Sequence, residues 1–206
     1  MDTDYLHESN LHYDVLREIG NIGSGNATTA LSQLLGAKRL DLNVPTAEML
    51  FFKDLAEVFG GAETLAAGIL FSLSGEIEGS IMFMLEVDAA HHLVNGLMGS
   101  QPLAEDSEFS EMELSALKEI GNIIAGAYLS SISELTNLMI LSSVPHLAVD
   151  MAGAILSVPA IEFGKLGDKA LLIESRFGQD GEDISGYFIL IPTMESYGRI
   201  MNSLGL

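Results

Sequence analysis

The chain repeats itself, and that constrains its fold more than any other feature of the sequence. Val15-Leu-Arg-Glu-Ile-Gly-Asn-Ile22 returns as Ala116-Leu-Lys-Glu-Ile-Gly-Asn-Ile123, an offset of 101 in a chain of 206 residues. A second match follows in the same order. Ile77-Glu-Gly-Ser-Ile-Met-Phe-Met-Leu85 parallels Ile184-Ser-Gly-Tyr-Phe-Ile-Leu-Ile191, and each precedes a helical pattern that ends in Met98-Gly99 or Leu204-Gly205. Two features in the same order at similar spacing point to a duplicated unit, and copies of one unit bury their apolar faces most simply against each other.

Each half has the same outline, the first over about 9–100 and the second over 108–206. A long amphipathic helix near 9–36 recurs near 108–137. Strands follow, with turn signals at Gly60-Gly61, Ser74-Gly75 and Gly178 to Gly181. Gly68–Leu73 pairs with Ser80–Leu85, and Ala170–Glu174 with Gly186–Ile191. Shorter helices near 88–98 and 193–204 close the halves. Glu105-Asp106-Ser107-Glu108, after Pro102, joins them and suits the first turn of a helix. The expected fold is therefore α+β: one internally duplicated, pseudo-two-fold domain, each repeat a long helix, short antiparallel strands and a closing helix. Two independent domains of half this length would each bury little.

Composition narrows the function. Hydrophobic residues make up 48% of the chain, enough for a core. The most apolar run, Leu147 to Phe163, carries Asp150 and Pro159 and reads as a buried helix, not a membrane span. The N-terminus lacks the basic start and apolar run of a signal peptide. The absence of cysteine excludes disulfides, thiolate metal sites and a cysteine nucleophile. The expected setting is the cytoplasm. Nine basic residues against twenty-nine acidic ones give a formal charge of −20, which repels nucleic acid and anionic lipid. Such a surface serves solubility, and it also suits a high-salt medium that screens its self-repulsion.

The first repeated segment carries the chemistry. With Asp14 at zero on a helical wheel of about 100° per residue, Glu18 falls near 40°, Asn21 near −20° and Gly25 near 20°. Leu16, Ile19, Ile22, Ala30 and Leu34 gather on the opposite side. The second copy puts Ser115, Glu119, Asn122 and Gly126 in the same register. On a single helix, exposed Glu and Asn are ordinary solvated residues. Recurrence in both copies changes that, because mid-helix Asn is a poor helix former and Gly costs about 1 kcal/mol relative to Ala. Gly removes a side chain and lets another backbone approach. The Asn amide offers a donor and an acceptor, enough to hold a water by its hydrogens and a neighbouring oxyanion through N–H. Glu can pair with a lysine on a docked partner. The stripe reads as a flat blade for another protein's cleft. Gly20 and Gly23, off the stripe, read as helix-packing residues.

These residues resemble the CheC, CheX and FliY group of chemotaxis phosphatases. The signature of that group is Asp or Ser, three residues, Glu, two residues, Asn, then 22 residues and Pro. Ser115, Glu119, Asn122 and Pro145 fit it throughout. Asp14, Glu18, Asn21 and Pro45 fit with 23 residues before the proline, which implies a loop insertion or a shifted turn. Gly20–Ala27, Gly75–Ser80 and Pro145–Met151 also look like segments of the family, so the resemblance covers nearly the whole chain. Two motif copies are similar to CheC, whereas CheX carries one and FliY an additional flagellar-switch domain.

The resemblance implies a phosphatase acting on the phospho-aspartate of the response regulator CheY. Asn21 and Asn122 would position the attacking water, Glu18 and Glu119 would pair with the lysine of CheY, and Asp14, Gly25, Ser115 and Gly126 would seat the docked surface. The chain would need no cofactor or metal of its own, Mg²⁺ residing on CheY. The family also binds CheD, a receptor-modifying deamidase, and Pro145 to Leu156, containing Asp150, resembles its docking region. The contrasting reading is an adaptor that binds CheD or CheY and hydrolyses little. A switch-complex component is a third reading and would need a further domain or peptide.

Other motifs fall away. Gly20, Gly23 and Gly25 are in the wrong order for a dinucleotide loop and follow no strand. No Gly-Lys-Ser/Thr exists. Ser115-Ala-Leu-Lys118 lacks the companion motifs of penicillin-recognising enzymes. The five histidines have no metal-ligand spacing, and the ten methionines read as core filler.

Overall fold

A computed structural model describes residues 2–34, 41–98, 108–163, 169–179 and 182–206. In chain order the elements are α1 (Asp2–Leu34), β1 (Asp41–Phe51), α2 (Phe52–Val58), β2 (Leu65–Gly75), β3 (Gly79–Glu86), α3 (Val87–Met98), α4 (Glu111–Thr136), β4 (Ile140–Ser142), β5 (His146–Met151), α5 (Ala152–Phe163), β6 (Lys169–Gln179), β7 (Glu182–Pro192) and α6 (Met194–Ser203). The strands form one antiparallel sheet in the order β1-β6-β7-β3-β2-β4, with β5 also paired to β2. The joining segment Glu105–Ser107 and the turn at Asp180-Gly181 lie outside the described residues.

The ladders fix how the halves correspond. The β1–β6 register maps onto the pairing of β4 and β5 with β2 when β1 residues are matched to those 100 positions later. Strands β2 and β3 then fall on β6 and β7 at offsets of 104 and 105. Phe83 and Phe188 are partners in the central ladder and exchange places under this match. The approximate two-fold axis therefore passes between them. The sequence match of Gly79 with Gly186 is two residues out of this register.

Both prolines of the motif sit at an irregularity in an edge strand. Three steps from Asn43 to Thr46 oppose two from Arg176 to Glu174, and four steps from Ser142 to His146 oppose three from Leu73 to Leu70. Each copy thus carries one extra residue where Pro45 or Pro145 stands. A residue without an N–H is tolerated at such a bulge because no ladder bond is lost. Since the strands superimpose through the prolines, the additional residue between Asn21 and Pro45 lies upstream of Asp41, and Pro45 is the counterpart of Pro145.

Helices cover both faces of the sheet. On one, α1, α3, α4 and α6 bury Ile19, Ala27, Leu31, Leu117, Ile120, Ile124 and Tyr128 against Ile69, Phe71, Ile81, Phe83, Leu171, Ile173, Phe188 and Leu190. On the other, α2 and α5 bury Leu55, Phe59, Ile155 and Leu156 against Met82, Met84, Leu172 and Ile189. Strand β3 alternates between these cores, which explains why it is apolar on both faces. The helices α2 and α5 add an element to the helix–strands–helix outline. The run Leu147–Phe163 is not one helix: β5 pairs with β2 through Met151, and α5 begins at Ala152. The switch is fixed by Ala152 N–H donating to Thr64 O at 2.8 Å and Gly153 N–H to Ala62 O at 2.9 Å.

Candidate functional site on the paired long helices

Helix α4 begins with a capping box. Glu113 N–H donates to Ser110 Oγ at 3.3 Å, while Ser110 N–H and Oγ donate to Glu113 Oε2 at 2.7 and 2.6 Å. These bonds hold the buried Glu113 carboxyl below its ordinary value of 4.5; burial opposes them and His91 adds a small favourable contribution. His91 on α3 stacks on Phe109, ring centroids 3.8 Å apart, pinning the segment before the cap. At the far end Asn137 adopts a left-handed conformation, φ 56°, and ends the helix. Met139 then ties the chain to the β2–β3 hairpin through Met139 N–H to Glu76 Oε2, 2.8 Å, and Glu76 N–H to Met139 O, 2.9 Å.

Between these anchors the stripe faces solvent. Ser115, Glu119, Asn122 and Gly126 are exposed on α4, as are Glu18, Asn21 and Gly25 on α1. The side chain of Asp14 lies outside the described residues, although its backbone belongs to α1. A Cβ built on Gly25 or on Gly126 would meet nothing within 4 Å. The neighbouring glycines differ. Gly23 is pressed against the Tyr128 ring, and a Cβ on Gly121 would stand 2.6 Å from Ile69 Cδ1. Gly20 is buried. Packing thus accounts for Gly23 and Gly121 but not for the two bare glycines.

The two stripes are carried on a packed helix pair. Helices α1 and α4 pack on each other over the same sheet face, with Asn26 Nδ2 donating to Ser131 Oγ at 3.1 Å across the contact. Ser131 Oγ itself donates to Ala127 O, 2.8 Å. Tyr128 is fully buried and stacks on Phe188, centroids 4.1 Å apart, linking the helix pair to the pseudo-axis. Of the apolar face expected on α1, Ile19 is buried and Ile22 and Ala30 are half-buried, while the side chains of Leu16 and Leu34 lie outside the described residues; on α4 Ile120 is buried. The stripes form blades, not pockets. Among the described residues no three His, Asp or Glu side chains converge to hold a metal ion.

Asp150 is not on either stripe. It is exposed on β5, opposite Ala66 of β2, and its Oδ1 accepts from Met151 N–H at 2.7 Å. Leu65, Val149 and Met151 are exposed on the opposite face of the same strand edge, and Val158 and Ile161 are exposed on α5. On α2, which occupies the matching place in the first repeat, exposed Asp54 and Glu57 match Ala154 and Ser157 of α5, and half-buried Val58 matches Val158. No sequence signal separated these exposed apolar residues from core, because small apolar residues occur in both.

A duplicated sheet with helices on both faces, carrying an exposed Glu–Asn stripe on each of two paired helices, defines the class: an internally repeated α+β protein with two matched helical stripes. The chain belongs to the CheC-like family, whose model matches residues 11–49 and 112–148, the spans that hold both motifs. It is 35% identical over 195 residues to the CheY-P phosphatase CheC of Bacillus subtilis, covering 93% of each chain. In fold it is similar to FliY of Thermotoga maritima, with a TM-score of 0.74, 23% identity and coverage of 94% and 95% of the two chains. It is also similar to the structure of a CheX–CheY–BeF3–Mg complex from Borrelia burgdorferi, with a TM-score of 0.54, 17% identity and coverage of 85% and 97%. Among the described residues no helix is long and apolar enough to cross a membrane.

Proposed function

We propose that this chain is a CheY-phosphate phosphatase, hydrolysing the aspartyl phosphate of the chemotaxis response regulator at two helix-borne sites. One observation carries the reading: an acid, an amide and an uncovered glycine are exposed in the same register on both α1 and α4. The B. subtilis relative named for this activity, alike over nearly the whole chain, supports it.

The bare backbone at Gly25 and Gly126 lets the helix enter a cleft. Glu18 and Glu119 pair with the lysine beside the phosphorylated aspartate and fix the register. The carboxamide oxygen of Asn21 or Asn122 accepts a hydrogen bond from a water, and its NH₂ donates to a phosphoryl oxygen. The water oxygen bonds to phosphorus as the aspartyl oxygen leaves with the bond's electron pair, and the water proton passes to the released phosphate. Phosphoryl transfer asks mainly for this positioning and for charge stabilisation. Mg²⁺ belongs to the substrate, supplies charge neutralisation there, and needs no ligand from this chain. A cytoplasmic setting and docking of CheD at the exposed edge strand that carries Asp150 complete the proposal.

The test is phosphate loss from purified phospho-CheY with wild type, Asn21→Ala, Asn122→Ala and the double variant. Acceleration by wild type and its loss in a folded, binding-competent double variant support the reading. Unchanged decay with wild type, despite binding, leaves an adaptor in its place.

A further inference from the structure

The chain has few cations, yet one cationic position is duplicated. Of nine basic residues, only Arg17 and Lys118 occupy matched positions in the two halves. Both are exposed, each immediately before the Glu of its stripe. On the wheel they stand one turn before Asn21 and Asn122, and i,i+4 side chains on a helix have Cβ atoms about 5–6 Å apart. Each helix thus offers an amide with a positive charge on its flank.

Helix pairing does not explain the position in the second copy. Three and four residues from Lys118 stand Leu114, Ser115, Gly121 and Asn122, none of them a carboxylate. Arg17 has Asp14 three residues before it, so the position is kept with and without a carboxylate at helical spacing. A charge of −20 would repel an anionic phosphorylated surface, and the repulsion acts most strongly where the two molecules meet.

We infer that Arg17 and Lys118 are docking cations, each taking the anionic rim of the phosphorylated aspartate site while the adjacent Asn addresses the phosphoryl group. The inference rests on the proposed substrate and adds the charge that admits it to so acidic a protein. A rim cation acts on encounter and affinity and leaves the chemical step alone.

The experiment measures affinity for beryllofluoride-activated CheY, together with KM and kcat for phospho-CheY, at ionic strengths of about 0.02 and about 0.5 M. The variants are Arg17→Gln, Lys118→Gln, the double, and the charge-keeping Arg17→Lys with Lys118→Arg. Arg199→Gln, which removes one exposed, ion-paired cation from α6, is the control. The double Gln variant is expected to weaken binding and raise KM about three- to tenfold at low ionic strength, less at high, with kcat unchanged. The charge-keeping pair should restore wild-type values. Binding by the double Gln variant no weaker than by Arg199→Gln overturns the inference, as does a loss that salt does not diminish or that the charge-keeping pair does not restore. If Asn21→Ala with Asn122→Ala leaves phosphate release intact while the cation effect on affinity persists, the catalytic reading fails and the docking cations stand.

Discussion

Gly23 on α1 lies against the Tyr128 ring of α4, so closely that a Cβ there would overlap the ring edge. Tyr128 has no room to retreat, since it is fully buried and stacked on Phe188. Gly23→Ala is therefore expected to destabilise the fold by about 1–3 kcal/mol, the range for overpacking a filled core. Urea unfolding of wild type and variant measures it.

Gly25, two residues on, predicts the opposite. Nothing surrounds its Cβ position, so Gly25→Ala and Gly126→Ala should each leave stability unchanged or raise it by up to about 1 kcal/mol. If the bare backbone is there to let CheY approach, the same variants should bind activated CheY several-fold more weakly. Paired unfolding and titration experiments separate the two effects. A variant both more stable and fully active would show that the glycines have no part in docking.

The sequence made the blades legible because helical geometry is stiff: once Asp14 is placed, Glu18, Asn21 and Gly25 follow on one face, and all three described side-chain positions are exposed there. Strand placement was harder. Small apolar residues from Leu147 onward fit a strand or a helix equally, and the change at Ala152 depends on acceptors at Thr64 and Ala62, distant in sequence. The Gly79–Gly186 match failed for a related reason. Gly79 is needed where its φ is 149° and Ile191 O crowds the Cβ position, a requirement of the local backbone that does not report the ladder register. The exposure of Val158 and Ile161 on α5 was not legible either, because apolar residues fit core and surface alike in so apolar a run.

The Ser110–Glu113 box makes the stability of the second blade depend on pH. The folded-state pKa of Glu113 is lowered, chiefly by the hydrogen bond from the Ser110 side chain. Its contribution is therefore complete above the ordinary value of 4.5 and is lost as the pH falls through the lowered folded value. Glu113→Gln should cost about 1 kcal/mol near neutral pH, a typical value for a helix cap. The gap from wild type should close as unfolding is measured at successively lower pH below 4.5. A gap that widens on acidification would contradict the assignment.

Asp150 tests whether catalysis and the proposed docking of CheD use separate surfaces. The residue sits on β5, outside both blade helices, and its side chain accepts from the adjacent Met151 N–H. Replacing it with Lys removes that acceptor from an exposed site, where water can substitute, so the cost in stability should be under about 0.5 kcal/mol. If CheD docks at this edge, its affinity should fall at least several-fold, because the charge at an exposed contact is reversed. Phosphate release from phospho-CheY should stay at the wild-type rate in the same preparation. Loss of both would mean that the surfaces are shared or coupled through β2. Retention of both would place CheD elsewhere on the chain.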